Sequence, residues 1–459
     1  MIRQSLVLTA FVALAGLAPA AGQQPSLGPI ARQYETTANR IIDAALADSS
    51  AWNKLAEMTD RFGNRISGSA ALERTIDWII ERMKREGLDN VRGEPVMVPH
   101  WVRGRESAEL VEPRAAKLPM LGLGGSVGTP AGGITAEVLV VSSFDDLRAH
   151  AAEARGKIVL FDVPFTTYGQ TVQYRGTGGI EASKLGAVAS MIRSVGPFGM
   201  RTPHTGALRY DSTVTKIPAF AIPMEDAAML HRFQNRGEKI VVKVEMEAET
   251  LPDSPSRNVM GEIVGREKPD EVVVFGGHID SWDVGSGAMD DGGGVVIAWE
   301  AIRLLRKLGL TPRRTIRAVG WTNEENGGRG GQAYAQAHRD ELDRHVLAIE
   351  SDGGVFRPIG FGFTGSAAAR AIVRQIAGLL KRIGADSIGP VGGGADIGPM
   401  LASGVPLMGH EVDGTRYFWY HHTDADNVDK LDPREVAMNV AAMAVMAYIV
   451  ADLPERLPR

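Results

Sequence analysis

Between Glu271 and Trp321 the sequence reads strand, helix, strand, and that order leaves few folds open. Glu271-Val272-Val273-Val274-Phe275-Gly276 is a continuous apolar run, the pattern of a strand buried on both faces. Val295 to Leu308 repeats its apolar residues at helical spacing and stops at Gly309, and Thr315-Ile316-Arg317-Ala318-Val319-Gly320-Trp321 is a second strand. Strands joined through a helix lie parallel, so this region predicts an α/β fold built on a mostly parallel sheet flanked by helices. Val346-Leu347-Ala348-Ile349 and Val405-Pro406-Leu407-Met408 are candidate further strands, and Pro433 to Ala451 a closing helix.

Upstream the texture differs. Ile41, Ile42, Ala45 and Leu55, then Ile76, Trp78, Ile79, Ile80 and Met83, recur at helical spacing before the stop at Gly87. A strand follows at Val96 to Val102. Residues 106–246 alternate short β-rich runs, such as Ala136 to Val141 and Lys157 to Phe161, with glycine-rich turns and one helix at Ile180 to Leu185. This predicts an inserted β-rich domain, and Leu251 to Ser256, with two prolines, reads as a turn-rich junction. A chain of 459 residues is long enough to divide in this way.

Met1-Ile2-Arg3-Gln4, the apolar run Leu6 to Leu17 and the small-residue exit Ala18-Pro19-Ala20-Ala21-Gly22 form a secretory signal over residues 1–22, with an uncleaved membrane anchor as the competing reading. No later segment reaches about 18 uninterrupted apolar residues, so no membrane span is expected in the mature protein and the expected location is periplasmic or secreted. The absence of cysteine excludes disulfides and thiol catalysis. A net charge of −5 with interspersed signs gives no footprint for nucleic acid.

Ligands of parallel sheets bind beyond the carboxyl ends of the strands. There the sequence places His278-Ile279-Asp280, then Asp290-Asp291 across a glycine-rich loop, then Glu324-Glu325, Asp352 and His421-His422. Each of these has a plain structural reading: a hydrogen-bonded loop pair, solvated glutamates, a turn former before Gly353-Gly354, a packed histidine pair. Their shared position at the strand ends of one sheet is what random surface acids would not show. Imidazole and carboxylate without thiolate suit zinc first, then cobalt or manganese. Five such ligands exceed what one open catalytic zinc takes, but suffice for two ions about 3.5 to 4 Å apart sharing a carboxylate and a water. Two consecutive glutamates can then divide the labour, one binding metal and one moving protons.

At these residues the chain resembles the M28 family of zinc aminopeptidases and carboxypeptidases, and within it the plasma glutamate carboxypeptidase branch. The matching segments are Gly276 to Gly285, Gly287 to Gly294, Trp321-Thr322-Asn323-Glu324-Glu325, Glu350-Ser351-Asp352 and His421-His422-Thr423. They occur in family order, and the similarity covers nearly all of the mature chain. The resemblance implies a zinc-exopeptidase, phosphorylase/hydrolase-like fold, with residues 23–105 and 247–459 forming the peptidase domain and 106–246 a protease-associated-like domain. It implies two zinc ions, with His278 and Asp352 on one, Glu325 and His422 on the other, and Asp290 bridging. Glu324 would be general base and acid, Asp280 would orient His278, and the Asp290-Asp291 peptide bond would be cis. His422 is preferred over His421 because the family pattern is histidine followed by serine or threonine. Asn427 departs from the threonine common after the acid matching Asp426, which bears on the local support of His422.

The expected activity is a carboxypeptidase or dipeptidase acting on short peptides through a metal-bridging hydroxide. Aminopeptidase action is the alternative on the same ligands. A catalytically silent binding or receptor protein, and a single-zinc acyl transferase, would each lack part of a set that is here complete. Homodimerisation is a family-based expectation. Gly392-Gly393-Gly394-Ala395-Asp396 reads as a loop-to-helix turn and not as a site, the other reading being a pocket wall for a substrate carboxylate.

Overall fold

The computed structural model describes residues 28–459. The secretory signal expected over residues 1–22 lies outside them. Three helices come first: α1 (Pro29–Leu46), α2 (Ser50–Phe62) and α3 (Ala70–Arg85). Each buries the stripe that recurs every three or four residues, Ala38, Ile41, Ile42 and Ala45 in α1 and Leu72, Ile76, Ile79 and Met83 in α3. Ser69 caps α3 by accepting the Leu72 N–H.

After β1 (Asp89–Val102), residues 106–246 form β2 (Glu106–Glu112), β3 (Ala116–Leu118), β4 (Leu121–Gly122), β5 (Ile134–Val141), α4 (Phe144–Ala149), α5 (Ala151–Ala154), β6 (Ile158–Phe161), α6 (Tyr168–Lys184), β7 (Ala189–Arg193), β8 (Ala219–Ile222), α7 (Met224–Asn235) and β9 (Val241–Met246). Their strands make one sheet ordered β3-β2-β9-β5-β6-β7-β8-β4, in which β5 to β8 run parallel. The expectation of a β-rich segment with one helix at Ile180 to Leu185 is corrected here, because helices connect β5 to β6 and β6 to β7 and another follows β8. The helix α6 begins twelve residues earlier and contains Gly169, Gly176, Gly178 and Gly179, so it carries no apolar stripe to read.

The second sheet holds the rest of the chain: β10 (Glu249–Ile263), β11 (Lys268–His278), α8 (Gly293–Lys307), β12 (Arg314–Trp321), α9 (Arg329–Ala337), β13 (His345–Glu350), β14 (Pro358–Thr364), α10 (Ala367–Ala377), β15 (Ser387–Gly389), β16 (Leu407–Val412), α11 (Tyr417–Tyr420) and α12 (Pro433–Asp452). Its order is β1-β10-β12-β11-β13-β16-β14-β15. The centre, β12-β11-β13-β16, is parallel as the strand-helix-strand pattern predicts, and antiparallel pairings flank it. The fold is thus mixed α/β, with sheets flanked by helices.

Leu251 to Ser256 is corrected from junction to strand. It lies in the part of β10 that pairs only with the edge strand β1, and Pro252 falls in the bulge between the Val98–Ser254 and His100–Leu251 pairs. A proline there removes no ladder hydrogen bond. The strand expected at Val405 to Met408 begins at Leu407 and runs on to Val412.

The alternation in β11 fixes the two faces of this sheet. Val273 and Phe275 pack with α8 and α12 in the larger core, and Val272 and Val274 with Tyr334 of α9 on the other side. By length and composition α12 could cross a membrane, yet it lies almost wholly buried in that core.

Candidate active site

Every candidate residue of the sequence analysis lies just beyond the carboxyl ends of β11, β12, β13 and β16 or in the turns that follow. The β11 strand ends at His278, whose N–H donates to Asp291 Oδ2 at 3.0 Å. That approach needs bare backbone around the carboxylate: a Cβ on Gly277 would lie 2.1 Å from Asp291 Oδ2, and one on Gly294 would lie 2.4 Å from it. The Asp290-Asp291 peptide bond is cis, as the resemblance implies.

Asp290 is the shared member of the cluster. His278 Nε2 lies 3.2 Å from its Oδ1 and 3.3 Å from Asp352 Oδ1. On the other side His422 Nε2 lies 3.3 Å from Asp290 Oδ2 and 3.0 Å from Glu325 Oε2. His421 stacks on His422 with ring centres 3.5 Å apart, and its Nε2 is 3.6 Å from Asp290 Oδ2. Of the two histidines, His422 therefore approaches Asp290 more closely and meets Glu325 as well.

Asp280 acts on both strands. Its main-chain oxygen lies 3.0 Å from His278 Nδ1, while its carboxylate is 3.7 Å from that nitrogen. The carboxylate instead accepts the N–H groups of Glu324 at 3.1 Å and Glu325 at 3.3 Å, and the Ser67 hydroxyl at 3.3 Å. It thus sets the course of the Glu324-Glu325 turn.

The crowding of acids is visible in their ionisation. Burial pushes Glu324 well above the usual carboxylate range, and the charges of Asp352, Glu325 and Asp280 add to this against the pull of His278. Burial and the charge of Asp290 raise Glu325 to about 7. Burial opposes a charged His278, but the carboxylates of Asp290 and Asp352 hold it well above its ordinary value.

Several residues support the cluster, and of these Arg65, Thr205 and Arg175 carry no sequence signal of their own, while Asp426 and Asn427 stand where the resemblance placed them. Asp426 accepts the N–H groups of Met289 at 2.7 Å and Asp290 at 3.1 Å. The fully buried Arg65 donates to the carbonyls of Ile279 at 2.8 Å and of Ser286 and Gly287 at 2.7 Å each. From the other sheet, Thr205 donates its N–H to the His422 carbonyl at 3.0 Å, and its own carbonyl lies 3.3 Å from His422 Nδ1. Arg175 of α6 reaches the same carbonyl at 3.3 Å and bonds the Tyr168 hydroxyl at 2.7 Å. The Asn427 amide closes a turn onto the Asp424 carbonyl at 2.8 Å.

Residues 258–447 match peptidase family M28. The chain is also 47 % identical to Carboxypeptidase Q of Mus musculus, over 93 % of this chain and 91 % of that one. This chain belongs to peptidase family M28. It is accordingly a metallopeptidase. The crystal structure of a Peptidase M28 precursor from Shewanella amazonensis SB2B superposes with a TM-score of 0.90 at 35 % identity, covering 94 % of this chain and 99 % of the other. BSAP, a zinc aminopeptidase from Bacillus subtilis, shares the fold at 20 % identity with a TM-score of 0.65, over 89 % and 98 % of the two chains.

The residues present here fit a zinc-like cation. The donor atoms of His278, Asp290 and Asp352, and those of Asp290, His421 and His422, form two groups, each within 4.8 Å. Asp290 Oδ2 and Glu325 Oε1 are buried without a hydrogen-bond donor. Buried carboxylate oxygens in that state need a positive partner, and mixed imidazole and carboxylate donors are those that a zinc-like cation takes.

Proposed function

We propose that this chain is an exported di-zinc exopeptidase that hydrolyses dipeptides or short peptides, of carboxypeptidase or dipeptidase type. The observation that carries the reading is the position of Asp290, whose two oxygens face histidines from two separate segments, His278 and His422. In this reading His278 and Asp352 would hold one ion and Glu325 and His422 the other, with Asp290 available to both. Two zinc ions bound there would supply Lewis acidity and lower the pKa of water. Glu324 takes the proton from the attacking water on its carboxylate and hands it to the leaving nitrogen. Asp280 keeps Glu324 in reach by anchoring its N–H, and orients His278 through its carbonyl.

Residues 106–246 are then a protease-associated-like insertion between the two parts of the peptidase domain, 23–105 and 247–459, and residues 1–22 direct export. The similarity to Carboxypeptidase Q supports the carboxypeptidase or dipeptidase assignment, and the completeness of the ligand set speaks against a silent binding protein. The test is metal content per chain together with hydrolysis of a free dipeptide, its amino-blocked form and its carboxyl-blocked form. Expected are two zinc ions, turnover of the free dipeptide, and a loss of about 10² to 10⁴-fold in Glu324→Gln with both ions retained. Hydrolysis of the carboxyl-blocked form but not the amino-blocked form would replace carboxypeptidase with aminopeptidase action. No turnover by the zinc-loaded wild type would remove the enzyme assignment.

A further inference from the structure

A cavity of about 530 Å³ opens beside Asp352, lined by Glu350, His410, Glu411 and the glycine-rich loop through Gly394. That loop was read from the sequence as a plain turn, with a substrate carboxylate as the other reading. The lining contradicts a carboxylate: it holds three acids, Glu350, Asp352 and Glu411, and neither lysine nor arginine. Two of its side chains are also buried and incompletely bonded. Glu350, the last residue of β13, is 2 % exposed; its Oε2 accepts the N–H groups of Asp396 and Ile397 at 2.9 Å each, and its Oε1 has no partner. His410 of β16 is 6 % exposed, with Nδ1 3.1 Å from Ser351 Oγ and Nε2 without a partner. Behind Glu350 the carboxylate of Asp396, wholly buried, lacks a partner on both oxygens.

Buried acceptors of this kind are costly unless a donor reaches them. The glycine-rich loop packs directly on this carboxylate: a Cβ on Gly394 would lie 2.1 Å from the Glu350 carboxyl carbon, so only glycine leaves room beside it where it meets the cavity wall. The groups do not assemble a further metal site, since no such donor set gathers around Glu350 among the described residues. The space is far larger than an ammonium group and suits a long side chain ending in one. Asp352 belongs both to this wall and to the cluster around Asp290, which puts the cavity next to the reacting bond.

We propose that this cavity is a side-chain subsite selecting a basic residue, lysine or arginine, adjacent to the scissile bond, with the Glu350 carboxylate receiving the cationic tip and Glu411 adding to the negative wall. The proposal rests on the exopeptidase reading for its catalytic consequence but not for binding. The test compares zinc-loaded wild type with Glu350→Gln and Glu411→Gln on free dipeptides that differ only in lysine against norleucine, placed in turn on each side of the bond. Binding of free lysine, norleucine and Nα-acetyl-lysine is measured by calorimetry in parallel. Expected for one of the two positions is a kcat/KM ratio of lysine to norleucine of at least about tenfold in the wild type, collapsing towards unity in Glu350→Gln and falling in part in Glu411→Gln. The ratio does not depend on the fraction of enzyme correctly loaded. Free lysine should bind more tightly than norleucine, and Nα-acetyl-lysine should keep that advantage. Equal binding of lysine and norleucine, or an advantage that Glu350→Gln leaves unchanged, would overturn the subsite. Loss of binding on acetylation alone would likewise overturn it and give the cavity to the α-amine. Absence of all hydrolysis with lysine selectivity intact in the binding arm would overturn the exopeptidase reading and support the pocket.

Discussion

The two halves of the candidate metal cluster differ in where their support originates. His278 is fixed by its own neighbourhood: it ends β11, its ring faces the Asp280 carbonyl, and its N–H bonds Asp291 thirteen residues on. His422 is fixed from a distance. Its ring and its carbonyl both meet Thr205, which belongs to the chain between β7 and β8 of the other sheet, and Arg175 of α6 steadies that contact. One half is the product of a strand and the turn after it. The other depends on how residues 106–246 dock, so a disturbance of that segment should reach one ion and spare the other.

The largest expected effect comes from the residue that both halves share. Asp290→Ala should lose both ions, read by metal analysis of the purified protein, and cut hydrolysis by at least about 10³-fold. Retention of one tightly bound ion would mean that the halves are independent and Asp290 is not common to them. A smaller and one-sided effect is expected from Arg175→Met, which frees the Thr205 carbonyl and removes the guanidinium nitrogen that lies 3.4 Å from His422 Nδ1, leaving every proposed ligand in place. It should weaken one of the two ions by about tenfold in a zinc titration and leave the other unchanged. Equal weakening of both would erase the contrast drawn above.

The smallest effect probes the strand next to β11 in the sheet that carries both halves. Burial lowers the His345 imidazole at the start of β13 to about 4, where it meets the Tyr334 hydroxyl at 2.9 Å. In the unfolded chain a histidine binds its proton below about pH 6.5. Unfolding therefore takes up a proton between those values, and stability is full above about pH 6.5 and falls as the pH falls towards 4. The loss from this residue should be ~1 kcal/mol between about pH 6.5 and 5.5, and His345→Gln should remove it from the pH dependence of denaturant unfolding.

What could be read from the sequence follows from how each residue acts. The β11-α8-β12 unit was legible because burial on both faces writes a continuous apolar run and because Gly309 ends the helix. The cluster was legible for the same reason: once the strands were placed, His278, Glu324, Glu325 and Asp352 stood at their ends. Most of α6 was not, since a polar, glycine-bearing helix leaves no stripe, whereas α7 does place Met224, Ala227 and Leu230 at helical spacing and was open to the same reading as α3. The strand through Leu251 to Ser256 was hidden by prolines that an edge pairing tolerates. Thr205 left no trace because it acts through its main chain, which any residue type provides. Arg65 likewise holds the Ile279 to Gly287 loop through carbonyls, so nothing in the loop's side chains names it.

The placement of α12 bears on when the enzyme comes into being during synthesis. It covers α8 and α1, which were made far earlier, and it follows every other element of the described chain. Until those last turns are translated, the apolar side of α8 has no lid and the sheet that carries the cluster stays half-clad. Closing the core over the sheet that carries the cluster therefore rests on the docking of α12, the last of the described elements.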